Sequence, residues 1–210
     1  VAIPKGTKYL KFQVDMTKGK DGNHGLIISQ PYLSNEKAGD TLNFHDVSAR
    51  YKTAVDFVVS KGVNGLNATT FGTNQNIKRV DAAVMLVRVL GLNTETAPAS
   101  GFKDVPARAV KHINALKAAG ITSGKTATRF DSSSEITRGE LSIWIQRGFK
   151  LREGNKALPF KDVGDRYDGA VSALVSNGIT NGTSPTTFGT NNNAKRGDYA
   201  IFLYRATQAK

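Results

Sequence analysis

The feature that most constrains this chain is a unit of 58 residues that occurs three times. Residues 44–47 read Phe-His-Asp-Val, and Phe-Lys-Asp-Val follows at 102–105 and again at 160–163, so the starts lie 58 residues apart. Self-similarity at a fixed period indicates a repeat architecture in which neighbouring copies bury each other's apolar faces. We therefore expect three similar units, over residues 41–99, 100–157 and 158–210.

Further features keep the same register in every unit. A glycine follows the signature Asp by 16 residues, and a phenylalanine ends the Thr-rich segment that comes next. An arginine then opens a second apolar stretch, and another arginine follows it by nine residues. These positions are Gly62, Gly120 and Gly178; Phe71, Phe130 and Phe188; Arg79, Arg138 and Arg196; and Arg88, Arg147 and Arg205.

The spacing within a unit predicts two helices joined by a loop. Apolar residues recur at helical intervals after the signature, as at Ala54, Val55 and Val58. The following glycine suits a left-handed helix end. Thr137 and Glu140 have the spacing of a capping box at the start of a second helix. The predicted fold class is mainly α, with three helix-loop-helix units packed as a pseudo-threefold bundle.

The first 40 residues differ from the repeats. Residues 9–14 alternate apolar and polar, and residues 25–29 are short and β-branched, so both predict strands joined by a turn at 18–23. Two strands alone are marginally stable. We expect residues 1–40 to be the remnant of a preceding β domain followed by a linker at 34–40.

Composition narrows the classes of partner. The chain has 29 Lys and Arg against 17 Asp and Glu, a net charge of +12. Residues 1–43 hold six Lys and four acids, or +2, which leaves +10 for the repeats. Such a surface attracts polyanions, whether nucleic acid, anionic lipid or acidic polysaccharide. The absence of Cys excludes disulfides and thiolate metal sites.

Nothing in the sequence indicates catalysis. The three histidines, His24, His45 and His112, fall at unrelated positions and make no metal-binding spacing. No nucleophile elbow or phosphate-binding glycine loop is present. We therefore expect a non-enzymatic chain with no metal and no cofactor, although a longer parent protein can carry a separate catalytic domain.

The ordered motifs resemble the S-layer homology family. The Phe-x-Asp-Val start, the glycine that closes the first helix and the Thr-Arg-x-Glu opening of the second helix form the family pattern, here in three tandem units. This resemblance implies a secreted cell-surface protein that binds secondary cell-wall polysaccharide non-covalently. The polysaccharide commonly bears pyruvate ketals and lies in grooves between units. No nucleic acid or membrane partner is implied, whereas other S-layer subunits remain possible partners.

The resemblance assigns the ligand contact to the arginine of Thr-Arg-x-Glu. An arginine fork pairs with a carboxylate through two parallel hydrogen bonds, and a helix N-terminus beside it adds amide donors. We expect a supporting role for the signature aspartates, for one glycine in each loop and for a lysine beside the second of these glycines. The candidate site residues are Arg79, Arg138 and Arg196; Asp46, Asp104 and Asp162; Gly65, Gly124 and Gly182; and Lys125.

Several alternatives stay open at this point. Each arginine of the first set can instead pair with a carboxylate of a neighbouring unit, and each signature Asp can cap a helix or fix a loop. The units also differ, since Lys replaces the capping Thr at Lys78 and Lys195 and the first loop is one residue shorter. Unequal grooves are therefore expected. The rival functions are nucleic-acid binding by a basic helical repeat and protein–protein assembly within a surface layer.

Overall fold

The computed structural model describes residues 44–155 and 157–209, all of which belong to one compact unit, Thr41–Lys210. Within these residues the fold is mainly α, as predicted, with isolated β-bridges and no sheet. A short 3-10 turn, Ala107–Ala109, leads into the third helix. The strands predicted at 9–14 and 25–29 lie outside the described residues. The helices are α1 Ala49–Ser60, α2 Arg79–Leu90, α3 Val110–Ala118, α4 Arg138–Phe149, α5 Asp165–Ser176 and α6 Arg196–Ala206.

The first helix of each unit ends two residues before the predicted glycine. Gly62, Gly120 and Gly178 have φ angles of 82°, 71° and 68°, a left-handed conformation that residues with a Cβ rarely adopt. In the first unit the N–H of Val63 then donates to the carbonyl of Val58 at 3.1 Å, and the other two units repeat this bond. The glycine thus closes the helix and directs the chain into the loop.

The second helices begin in two different ways. In α4, the Thr137 hydroxyl accepts from the Glu140 N–H at 3.3 Å, and the Glu140 carboxylate accepts from the Thr137 N–H at 3.3 Å. These bonds confirm the predicted capping box. Helices α2 and α6 follow Lys78 and Lys195, and neither lysine makes a side-chain cap.

The six helices pack in a cyclic order. The second helix of each unit packs against the first helix of the next unit, so α2 lies on α3, α4 on α5 and α6 on α1. The second helices α2, α4 and α6 also contact one another at the centre. This arrangement confirms the pseudo-threefold bundle. It also creates three junctions between successive units.

A closed ring of three backbone hydrogen bonds lies where the units meet. The N–H of Ile77 donates to the Ala194 carbonyl at 2.9 Å, the N–H of Ala194 to the Ile136 carbonyl at 2.9 Å, and the N–H of Ile136 to the Ile77 carbonyl at 3.1 Å. All three residues are buried and hold equivalent positions just before α2, α4 and α6. Because the bonds return to their starting residue, each unit is bound to both others.

Paired phenylalanines form an apolar contact inside each unit. The loop phenylalanines Phe71, Phe130 and Phe188 are fully buried. Each of them contacts the phenylalanine that opens its own unit, in a tilted arrangement that suits aromatic rings. The ring centroids are 5.6 Å apart for Phe44 and Phe71, 5.6 Å for Phe102 and Phe130, and 5.8 Å for Phe160 and Phe188.

Candidate functional site

The candidate arginines open the second helices and extend into the loop of the following unit. Arg79, Arg138 and Arg196 are each more than 90% buried. The Nε of Arg79 donates to the carbonyl of Phe130 at 2.9 Å, and the Nε of Arg138 donates to that of Phe188 at 3.0 Å. Each of these arginines is therefore contributed by one unit to a site in the next.

Aromatic rings hold the three guanidinium groups in place. The Arg79 guanidinium lies 5.1 Å from the Phe130 ring and 4.6 Å from the Trp144 ring. Burial lowers the pKa of each arginine, but an arginine stays protonated at any physiological pH. The stacked cations are thus fixed in orientation before any ligand arrives. The other stacking distances are 4.9 Å from Arg138 to Phe188, 5.2 Å from Arg138 to Phe202 and 4.8 Å from Arg196 to Phe71.

Two of these arginines line open grooves. The first, here called the Arg138 groove, lies between α6 and α1 and has a volume of about 580 Å³. The second, the Arg79 groove, lies between α4 and α5 and has a volume of about 170 Å³. The two are built from equivalent positions. The Arg138 groove is lined by Arg50, Arg138, Gly182, Asp198, Phe202 and Arg205, and the Arg79 groove by Arg79, Gly124, Glu140, Trp144, Arg147 and Arg166.

Two members of a third set of repeated arginines, a set that was not predicted from the sequence, line these grooves. Arg50, Arg108 and Arg166 each follow a signature aspartate by four residues, a spacing that is visible in the sequence. Arg50 pairs with Asp198 across the α6–α1 junction at 3.3 Å, and Arg108 pairs with Asp81 across α2–α3 at 2.9 Å. Each of the two open grooves is therefore bordered by arginines from all three units.

Glu140 occupies the Arg79 groove with its carboxylate. Its Oε1 lies 3.3 Å from Nη1 of Arg79 and accepts a short bond from Nζ of Lys125. Although partial burial acts to raise the pKa of Glu140, the bond from Lys125 and the charge of Arg79 hold it below its ordinary value. Lys125, predicted as a ligand contact, thus already has an anionic partner inside the protein.

The signature aspartates hold the loops with their carboxylates. Asp46 accepts from the N–H groups of Phe71, Gly72 and Thr73 at 2.8, 2.7 and 2.7 Å. Partial burial favours a higher pKa for Asp46, but the three backbone bonds outweigh it and lower the pKa. Asp104 and Asp162 make the same three bonds in their units. The aspartates therefore position the segment that faces each arginine.

The predicted contribution of free helix amides is wrong for the first two amides of each second helix. The Arg79 N–H donates to the Ser134 carbonyl at 2.8 Å, and the Val80 N–H donates to the Ser132 carbonyl at 3.2 Å. Carbonyls of Asn192 and Thr190 do the same for α4, and those of Gln75 and Thr73 for α6. The next unit's loop satisfies these donors, so these two amides are not free to bind an anion.

The candidate glycines allow the loop backbone to approach the signature phenylalanines. A Cβ on Gly65, Gly124 or Gly182 would lie 2.4–2.5 Å from a ring carbon of Phe44, Phe102 or Phe160. Gly124 and Gly182 also line the two open grooves. Their role is thus to shape the groove wall.

The second arginine set and Trp144 have structural contacts. Arg88, Arg147 and Arg205 donate to the carbonyls of Gly62, Ile121 and Ile179 at 2.5, 3.3 and 2.9 Å, which ties the two helices of a unit together. Trp144 is buried and stacks on Phe130 with a centroid distance of 5.9 Å. It belongs to the core and is not an exposed platform for a sugar ring.

Comparison with known proteins identifies the repeats. Residues 101–142 and 159–200 match the family model of the S-layer homology domain. The chain carries S-layer homology domains. The first unit lies outside the matched segments. It nevertheless has the same two helices, the same glycine after the first helix, and an arginine, Arg79, that extends into the next unit. The S-layer homology domains and surface-layer relatives indicate a location at the cell surface or cell wall.

Relatives of this chain include surface proteins and enzymes. It is 32% identical to an endoglucanase of Bacillus sp. (strain KSM-635) over 60% of this chain and 14% of the endoglucanase. It is 28% identical to an uncharacterized cell wall amidase of Bacillus anthracis, over 67% of this chain and 27% of the amidase. A surface-layer 125 kDa protein of Lysinibacillus sphaericus is 29% identical over 87% of this chain and 16% of that protein.

The chain spans less than a third of the length of these relatives. No helix within the described residues is long and apolar enough to cross a bilayer.

Proposed function

We propose that this chain is a non-covalent cell-wall anchor that binds an acidic, pyruvylated polysaccharide in the grooves between its S-layer homology domains. The observation that carries the proposal is the buried, aromatic-stacked arginine that one unit places in the groove of the next. A pyruvate ketal presents a carboxylate on a sugar ring, and a fixed guanidinium binds a carboxylate with little further loss of conformational freedom.

The charge of the whole chain supports the same ligand class. A net charge of +12 attracts an anionic polymer over distances longer than a hydrogen bond. The arginines of the grooves then select the polymer that carries carboxylates at sugar spacing. Because the relatives include an endoglucanase and a cell wall amidase, we further propose that the domains anchor a longer protein whose activity resides elsewhere.

Calorimetry with two forms of one polymer tests the ligand. The chain is titrated with purified pyruvylated wall polysaccharide and with the same polymer after mild acid has removed the ketals. Binding to the first polymer alone is expected. Equal binding to both contradicts recognition of the ketal. Failure to bind either polymer, together with steeply salt-dependent binding to DNA, favours the rival nucleic-acid function.

A further inference from the structure

We propose that the three arginine sites are functionally unequal and that the Arg138 groove is the primary carboxylate site. This inference rests on the proposed function, because it ranks the grooves for the acidic ligand. The ranking follows from how many guanidinium nitrogens each arginine still presents to solvent. End-on pairing with a carboxylate uses both terminal nitrogens, Nη1 and Nη2.

Arg138 keeps both terminal nitrogens for a ligand. Its Nε donates to the Phe188 carbonyl, while among the described residues neither Nη1 nor Nη2 has a hydrogen-bond acceptor or an ion-pair partner. Neither nitrogen is sealed from solvent. Asp198 also lines this groove and its charge acts on Arg138. Unlike Glu140, however, it makes no ion pair with the groove arginine, because its carboxylate pairs with Arg50 and accepts from the Tyr51 hydroxyl at 3.3 Å. A ligand carboxylate can therefore dock here without displacing a protein group.

Arg79 has fewer guanidinium nitrogens available to a ligand than Arg138, and a protein carboxylate lies beside it. Its Nη1 is buried without a hydrogen bond and lies 3.3 Å from the Glu140 carboxylate. A second carboxylate in this groove would face Glu140 at short range, and like charges in a partly buried site repel. Glu140 thus acts as an internal competitor that weakens the Arg79 groove for an acidic ligand.

The Arg196 side chain contacts the backbone of the first loop and lines neither of the two open grooves. Its Nη2 donates to the Asn64 carbonyl at 2.7 Å, and its Nε is buried without an acceptor. The first loop is also one residue shorter than the others, since Phe71 follows Gly62 by nine residues whereas Phe130 follows Gly120 by ten. The first loop lacks the buried threonine that supports the others at Thr122 and Thr180. Only one nitrogen of Arg196 remains for a ligand.

A monovalent probe tests this ranking. A synthetic methyl hexoside carrying one pyruvate ketal is titrated into the full chain by calorimetry, and a stoichiometry near one is expected. Arg138→Lys keeps the charge but loses the fork, so the affinity should fall about 10- to 100-fold, the effect of losing one charge-assisted hydrogen bond. The matched variants Arg79→Lys and Arg196→Lys should each change the affinity less than about threefold. Thermal melts check that all three variants are folded.

Glu140→Gln gives a readout that does not depend on Arg138. The glutamine side-chain oxygen can keep the capping bond to the Thr137 N–H, so the variant should fold while the competing charge is removed. A second binding site is expected in Glu140→Gln and not in Glu95→Gln, which makes the same charge change at an exposed position. Three equal sites in the wild-type chain, or no gain in Glu140→Gln, overturns the ranking and leaves the proposed function standing. Failure of the wild-type chain to bind the probe and the pyruvylated polymer overturns both.

Discussion

At the residue scale, each unit depends on one aspartate that organises its loop. Asp46 joins the start of the first unit to residues 71–73 through three backbone donors, and its own carbonyl accepts from the Thr73 hydroxyl at 2.6 Å. The same segment carries Phe71, on which Arg196 stacks. The aspartate therefore acts on the site through the loop and does not touch the ligand in our proposal.

Asp46→Asn should destabilise the protein by about 1–3 kcal/mol, the usual effect of leaving backbone donors without a charged acceptor. The amide keeps one oxygen but turns an NH₂ group towards backbone N–H donors. Urea denaturation measures the free energy of unfolding. Asp168→Asn, at an exposed position of α5, is the control and should change stability by less than about 0.5 kcal/mol. Equal effects of the two substitutions would contradict the loop-anchoring role.

The same aspartates predict how stability depends on pH. The pKa of Asp46, Asp104 and Asp162 in the folded protein lies below the ordinary value of 3.8. As the pH falls below about 4, the unfolded chain therefore binds more protons than the folded one, and the free energy of unfolding decreases. Urea midpoints of the wild-type protein and Asp46→Asn should differ most near neutral pH and converge as the pH falls. A difference that is independent of pH would contradict the assigned pKa direction.

At the element scale, the sequence predicts the helices well because their signals are local. Apolar spacing, the glycine ends and the capping box at Thr137 all depend on residues a few positions apart. The exchange of arginines between units is different, because local spacing does not indicate which unit a side chain reaches. The contacts of Glu140 with Arg79 and of Asn64 with Arg196 follow from that exchange, so only the structure reveals them. By contrast, a 58-residue spacing relates Arg50, Arg108 and Arg166, so this set could have been predicted from the sequence.

The capping box gives a matched test at this scale. Thr137→Ala should cost about 1 kcal/mol of stability, because the N–H of Glu140 loses its acceptor at the start of α4. Ser48→Ala is the control, since Ser48 precedes α1 but its side chain makes no capping bond. Chemical denaturation at pH 7 compares the two variants. A larger effect at Ser48 would show that the cap is not what stabilises α4.

At the scale of the whole molecule, the cyclic packing predicts one cooperative folding unit. Each second helix buries its surface on the following unit, so removing one unit exposes faces on both others. Deletion of residues 158–210 should therefore abolish cooperative unfolding of the remaining repeats, as seen by circular dichroism during urea titration. The intact chain should give equal calorimetric and van't Hoff enthalpies for its repeats. A stably folded two-unit fragment would contradict this prediction.

The ring at Ile77, Ile136 and Ala194 also limits how such an anchor can be strengthened. An open repeat array gains valency by adding copies at its ends, but a ring whose third unit already bonds to its first has no free face for a fourth copy. The number of grooves per chain is thus set by closure. Tighter attachment then has to come from several chains acting on one polymer, where the gain is governed by their spacing along the cell wall.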